Sequence, residues 1–232
     1  MLGPLNIAAR QRGLSLVELM IGLAIGLFIV AAAATLLVAR LQEHRASLLE
    51  ARLTQDLRAC VDLVTRDLRR AGYWGDATAA ISASDGASSV ANPYAALTVS
   101  TPSAAASEVV GFRFSRDATE NNLLDANEQF GFRLRNGVIE MQLGSGSWQA
   151  MTDPATMTVT AFGVVPAMQE IDLEGVCDKP CPASAVACGP KQQIRSLAVV
   201  ITARANADPR LVRSVRDAVR LRNDAIVGRC PA

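Results

Sequence analysis

The sequence predicts an α+β protein, with one long amino-terminal helix followed by antiparallel strands. Three observations carry that expectation. Residues 19–39 run for 21 positions without a charge. Beyond Arg40, Leu49, Leu53, Leu57, Val61, Val64 and Leu68 recur at spacings of three and four. From Val109 onward, runs rich in β-branched and aromatic residues are separated by turn residues, so the strands follow the helix instead of alternating with further helices.

The uncharged run is long enough to cross a hydrocarbon layer of about 30 Å as a helix. The leucine–valine stripe continues it as an amphipathic helix, with Arg45, Glu50, Arg52, Asp56, Arg66 and Asp67 in the intervening positions. Gly72 and Gly75, flanking Tyr73-Trp74, are the stop signal. A helix from Leu14 to Ala71 is about 85 Å long at roughly 1.5 Å per residue.

Residues 77–107 are rich in alanine and serine with weak periodicity and read as a connection, with a short strand at 97–99. Strands are then expected at 109–114, 130–135, 138–143, 157–165, 194–204 and 212–222. The third and second of these form a hairpin around Asn136-Gly137, a pair that supplies the positive φ angles of a two-residue type I′ turn. The predicted organisation is a leader at 1–13, a membrane half-helix at 14–39, an amphipathic half at 40–72, a connecting region at 73–108 and an antiparallel domain at 109–232 with a cysteine-rich end. A sheet folded on the helix would bury the Leu53, Leu57 and Leu68 stripe.

The most specific pattern lies at the start. Arg10 and Arg12 precede Gly13, the apolar run follows, and Glu18 is the carboxylate at its edge. A secretory signal loses its apolar stretch on cleavage. Here that stretch lies after the candidate cut, so cleavage would leave the anchor in place. The two arginines would hold the amino end in the cytoplasm. Glu18 is costly at the edge of lipid without a partner. Cleavage after Gly13 would create one, a positive amine at Leu14. In a helical array the amine of one subunit can neutralise the Glu18 of its neighbour.

This pattern resembles the class III signal of type IV prepilins. The resemblance implies a peptidase that cuts after Gly13, methylation of the new terminal Leu14, and Glu18 as the fifth mature residue, used for register in assembly. Two departures are visible. The mature chain begins with leucine where phenylalanine is usual, and no proline interrupts residues 5–92. Gly22 and Gly26 stand in the apolar segment instead, suited either to close helix packing or to local melting on leaving lipid.

The order of elements is similar to the pilin fold. Within it, the helix end Arg66-Asp67-Leu68-Arg69-Arg70-Ala71-Gly72-Tyr73-Trp74-Gly75 and the ending Val219-Arg220-Leu221-Arg222-Asn223 resemble the PilW-type minor pilins. That implies a protein of the inner membrane with a periplasmic carboxyl-terminal domain, later in the pilus fibre at the cell surface. The implied partners are a prepilin peptidase/methyltransferase, other minor pilins, the major pilin and a large tip adhesin.

Composition narrows the alternatives. Without Arg10 and Arg12 the chain carries 21 basic against 22 acidic side chains, so no general polyanion binder is indicated. Cys177, Cys181, Cys188 and Cys230 read as disulfide partners in an oxidising compartment, with three connectivities open. A zinc site is the competing reading, disfavoured by their spacing and by His44 being the only histidine, far away. Cys60 falls among apolar helix positions and reads as a buried free thiol.

Asp125, Asn127 and Glu128 place hard oxygen ligands close together in an acidic loop with Asp117 and Glu120, a weak calcium candidate lacking the glycine and final glutamate of an EF-hand. A solvated loop is the default. Arg204, Arg210, Arg213, Arg216, Arg220, Arg222 and Arg229 gather near the carboxyl end, where alternation would put several on one exposed face able to meet DNA or an acidic neighbour. No aromatic residue accompanies them, so a single-strand platform is not expected.

No nucleophile–base pair, phosphate loop or histidine motif is present, so no enzyme, cofactor or metal is expected. The function implied is pilus assembly at the priming or tip complex, with twitching motility or adhesion as its outcome. The rivals are a type II secretion pseudopilin and a fibre-tip receptor for DNA or a surface.

Overall fold

The computed structural model describes residues 13, 15–80, 90–100, 109–182, 189–228, 230 and 231. The leader residues 1–12, Leu14, Cys188 and Arg229 lie outside them. Contacts divide the chain into two units between Leu48 and Leu49.

In the first unit, helix α1 (Leu16–Leu68) begins at Leu16, and every described residue through Leu48 is exposed. This is the apolar stretch, with side chains such as Leu23, Phe28 and Leu36 uncovered all round. An apolar surface without a buried face is what lipid or neighbouring helices would cover. Its hydroxyl at Thr35 is satisfied within the helix, donating to the Ala32 carbonyl at 2.8 Å, as an apolar surrounding requires.

The second unit begins with the rest of α1. Leu53, Leu57, Cys60, Val61, Val64, Thr65 and Leu68 are buried, which is the face the three- and four-residue spacing marked. The stripe packs against two antiparallel sheets, where a single sheet had been expected. The first is a meander of β1 (Leu97–Val99), β2 (Val109–Arg113), β3 (Gln129–Arg135), β4 (Val138–Leu143) and β5 (Trp148–Ala150). The second orders β6 (Met157–Asp172), β7 (Lys191–Ala205) and β8 (Val212–Arg220), with β9 (Ala225–Val227) also pairing β7.

Asn136 and Gly137, both at positive φ, close the β3–β4 hairpin. The first sheet contributes an aromatic layer to the core. Phe114 stacks on Phe130 at 4.1 Å, and Phe112 lies 5.8 Å from Phe130 and 5.7 Å from Phe132. The second sheet adds Val159, Phe162, Leu197, Val199 and Ile201. Each fully buried aliphatic side chain stabilises the fold by about 1.5–3 kcal/mol.

Three of the element boundaries that differ from expectation have a clear physical reason. The helix ends at Leu68 because its last turn tightens: the Arg70 and Ala71 amides donate three residues back, to Asp67 and Leu68. Strand β8 stops at Arg220 because, although the Leu221 amide still donates to the Arg195 carbonyl of β7, the Arg222 amide turns away to the Arg69 carbonyl. Strand β6 runs on to Asp172, through Pro166. A proline fits there because β6 is an edge strand, and its nitrogen can face away from β7. Strands β5 and β9 were not expected at all, being three residues each with no periodicity of their own.

Candidate functional site

The start of α1 is built by its own side chains. The Leu19 amide makes the first helical hydrogen bond, to the Ser15 carbonyl at 3.1 Å, so Ser15 is the N-cap. The Ser15 hydroxyl accepts from the Val17 amide at 3.3 Å. Reciprocally, the Ser15 amide donates to the Glu18 carboxylate at 3.1 Å. Glu18 thus supplies its half of a Ser-x-x-Glu capping box while the Ser15 hydroxyl holds the second helical amide in place of the third, and the carboxylate gains a partner inside its own chain. The positive end of the helix favours the same carboxylate.

Sequence reading singled out Glu18 but missed Ser15, although the Ser-x-x-Glu spacing before an apolar run was legible. Gly13 is exposed with open space around it, and Leu14 lies outside the described residues. Gly22 and Gly26 are likewise unobstructed.

At the other end of the helix, the two sequence patches singled out above meet. Gly72, at φ 74°, donates its amide to the Arg113 carbonyl at 2.8 Å. The Gly72 carbonyl accepts from Asn92 at 3.0 Å and from Asn223 at 3.1 Å. Arg222 donates its amide to the Arg69 carbonyl at 3.1 Å and places its guanidinium over Tyr73. Arg70 covers the Phe114 ring at 3.9 Å. Buried Trp74 donates to Asn122 at 2.6 Å.

Glu120 completes this knot, accepting from the Gly75 amide, the Asn122 amide and the Tyr94 hydroxyl, each at 3.0 Å. Burial works to raise the Glu120 pKa, but hydrogen bonds from Ser115, Gly75, Asn122 and Tyr94 outweigh it and hold the carboxyl below its ordinary value. Burial first, and then the Glu120 hydrogen bond, push the Tyr94 phenol well up.

The reading of the acidic loop as solvated fails at Glu128, which is fully buried. Its two oxygens accept from the Arg116 and Asp125 amides, each at 2.8 Å. Asp125 begins the short 3-10 turn Ala126–Glu128. The Glu128 carboxylate therefore closes the loop. Among the described residues no three His, Cys, Asp or Glu side chains converge to hold a metal.

The cysteines resolve as follows. Cys177, after the 3-10 turn Glu174–Val176, is bonded to Cys230, and Cys181 is disulfide-bonded as well. Cys60 is a buried free thiol. It borders a groove of about 250 Å³ with Arg52, Asp56, Met151, Asp153 and Met157. Burial pushes its thiol up to about 12, so it stays protonated at neutral pH and is no nucleophile. His44 is exposed.

The arginines divide. Arg213 forms an ion pair with Glu50 of the helix, Arg210 pairs with Asp208 at 3.2 Å, and Arg220 pairs with Asp224 at 2.6 Å. Arg222 belongs to the knot. Arg204, Arg216 and Arg220 do share one outward face of the second sheet, because they pair across from outward-facing neighbours. The expected concentration of free arginines is thus reduced to Arg204 and Arg216, which have no ion pair among the described residues.

Residues 8–34 match the prokaryotic N-terminal methylation motif. Residues 46–221 match the model of prepilin peptidase-dependent protein B. The chain belongs to that family. The two matches together cover the leader side of the helix and nearly all of the second unit. It is a prepilin peptidase-dependent, pilin-like protein, with an amino-terminal helix of the length and composition that cross a membrane. No curated relative and no solved structure matches the chain.

Proposed function

We propose that this chain is a non-enzymatic minor pilin, PilW-like in kind, that helps to prime or cap a type IV pilus. It waits in the inner membrane on residues 14–39 with its second unit in the periplasm. A prepilin peptidase/methyltransferase cuts between Gly13 and Leu14 and methylates the new terminus. Its partners are other minor pilins, the major pilin and a large tip adhesin, and the outcome is twitching motility or adhesion.

One observation supports this reading most: a methylation motif that runs into a helix whose apolar residues up to Leu48 have no cover among the described residues. Such a surface is stable only in lipid or among other helices, and a fibre of packed helices supplies the second environment. Glu18 has a partner in each. In the single chain its carboxylate holds the Ser15 amide. In the fibre it meets the Leu14 amine of a neighbour, which neutralises both charges within apolar surroundings.

The test is a deletion strain together with the mass of the mature amino terminus. Surface pili should fall sharply while the major subunit remains in the membrane, and the recovered chain should begin at methylated Leu14. A strain that keeps its pili but loses export of secreted enzymes would move the protein to a type II secretion pseudopilus. A mature chain that still carries its first 13 residues would refute the processing itself.

A further inference from the structure

The second sheet has one face that no described element packs against. Along β7, Leu197, Val199, Ile201 and Ala203 are buried toward the core, whereas the alternate positions are not. The ladder carries this outward face across the sheet: Ala198 stands between Val165 and Ala218, and Val200 between Gly163 and Arg216. Val165 is 58% exposed, and Ile226, opposite Gln192 on the same face, 54%.

Charge on this face is one-sided. Arg204, Arg216 and Arg220 all lie on it. The carboxylates of β6 do not, since Glu170 and Asp172 pair with Gln193 and Lys191 on the opposite face. The single acid, Asp224, is held by Arg220 and by Gln192, each at 2.6 Å. What remains among the described residues is a field of alanine, glycine and valine, interrupted by Ser196, Thr202 and Ser214 and bordered by Arg204 and Arg216, which have no ion pair there.

Its extent suits a protein contact. From Ile194 to Arg204 across three strands the field measures about 33 Å by 14 Å, or roughly 460 Å². That lies within the range of the largest patches on monomers, about 300–600 Å². It would form the centre of one side of a standard interface of about 800 Å² per partner. The open edge of β6 is a poorer place to bind, because Pro166 removes a backbone donor from it.

We propose that this outward face docks a neighbouring fibre subunit whose apolar surface is rimmed by carboxylates, an inference that rests on the fibre reading above. Small side chains let the partner approach the sheet closely, and Arg204 and Arg216 supply register and reject basic or neutral surfaces.

A photo-cross-linking amino acid placed at Val165 in the full-length protein, in its native cells, tests this. Both the sheared fibre fraction and the membrane fraction are analysed by mass spectrometry. The expected adduct joins Val165 to another subunit bearing a prepilin motif, at a peptide containing Asp or Glu. Arg204→Glu with Arg216→Glu should lower its yield on the order of tenfold or more, while Arg216→Lys and the turn variant Arg210→Glu should leave it intact. No adduct, an adduct to lipid or to a second copy of this chain, or a yield indifferent to the charge reversal would each overturn the proposal. Presence of the chain in sheared fibres is scored separately. A fibre-borne chain without the adduct removes only the docking face, and an arginine-dependent adduct confined to the membrane removes only the fibre reading.

Discussion

Replacing Cys177 and Cys230 together by serine should destabilise the second unit far more than the loss of two sulfur atoms suggests. The bond joins positions 53 residues apart. Opening it frees the unfolded chain from a closed loop that contains β7, β8 and β9. For a loop of that size the chain-entropy relation gives about 14 cal/mol/K, or about 4 kcal/mol at 25 °C. For a unit of this size each kcal/mol moves the midpoint by about 2–4 °C, so the melting temperature should fall by about 8–16 °C. The assay is thermal unfolding of the full chain in detergent micelles, followed by tryptophan fluorescence, because Trp74 is buried at the helix end and reports directly on that packing. Melting exposes Cys60, so the scans are run at acid pH, where its thiol stays protonated and exchange with the disulfides is slow. A fall of under about 3 °C would mean that the unfolded chain gains little freedom, and the loop-closure reasoning would be refuted.

Three further outcomes are expected. Gly72→Ala should cost about 1–2 kcal/mol for its left-handed backbone, and more because its Cβ would lie 3.1 Å from the Arg195 guanidinium; a urea midpoint equal to wild type would contradict this. Ser15→Ala should remove about 1 kcal/mol of capping and speed hydrogen exchange at Val17 and Leu19 in micelles, leaving the second unit's midpoint unchanged. Stability should decline at alkaline pH. The unfolded Cys60 thiol titrates near 9 and the folded one near 12, so between these values only the unfolded state sheds the proton, at about 1.4 kcal/mol per pH unit. Tyr94, raised by burial, adds the same sign above pH 10. Cys60→Ala should therefore hold its urea midpoint up to about pH 10, and superimposable profiles would rule out the thiol's part.

What was legible in the sequence is what local physics decides. The leucine stripe fixed which face of the helix is buried, because the spacing of apolar residues along a helix is set by its geometry. Asn136-Gly137 marked the hairpin, because few residue pairs accept two positive φ angles. The leader glycine, Glu18 and the apolar run marked the family, because cleavage and lipid impose their order directly. Elements decided by tertiary partners were not legible. Strands β5 and β9 exist because β4 and β7 offer them an edge. The division into two sheets depends on pairings that no local pattern encodes. Glu128 reads as one more acid in a polar loop, and only the folded path of Arg116 and Asp125 brings their amides to it. The arginines near the end alternate as expected, yet Glu50, Asp208, Asp224 and Tyr73 claim most of them.

The contact between Asn223 and the Gly72 carbonyl spans 151 positions. A ribosome delivers these groups at widely separated times. Until residues 222 and 223 have emerged, the Gly72 carbonyl has only Asn92 as its donor and the Arg69 carbonyl lacks the Arg222 amide, however well the strands between have formed. A chain cut short before Asn223 would therefore lack the last tie at the end of the helix.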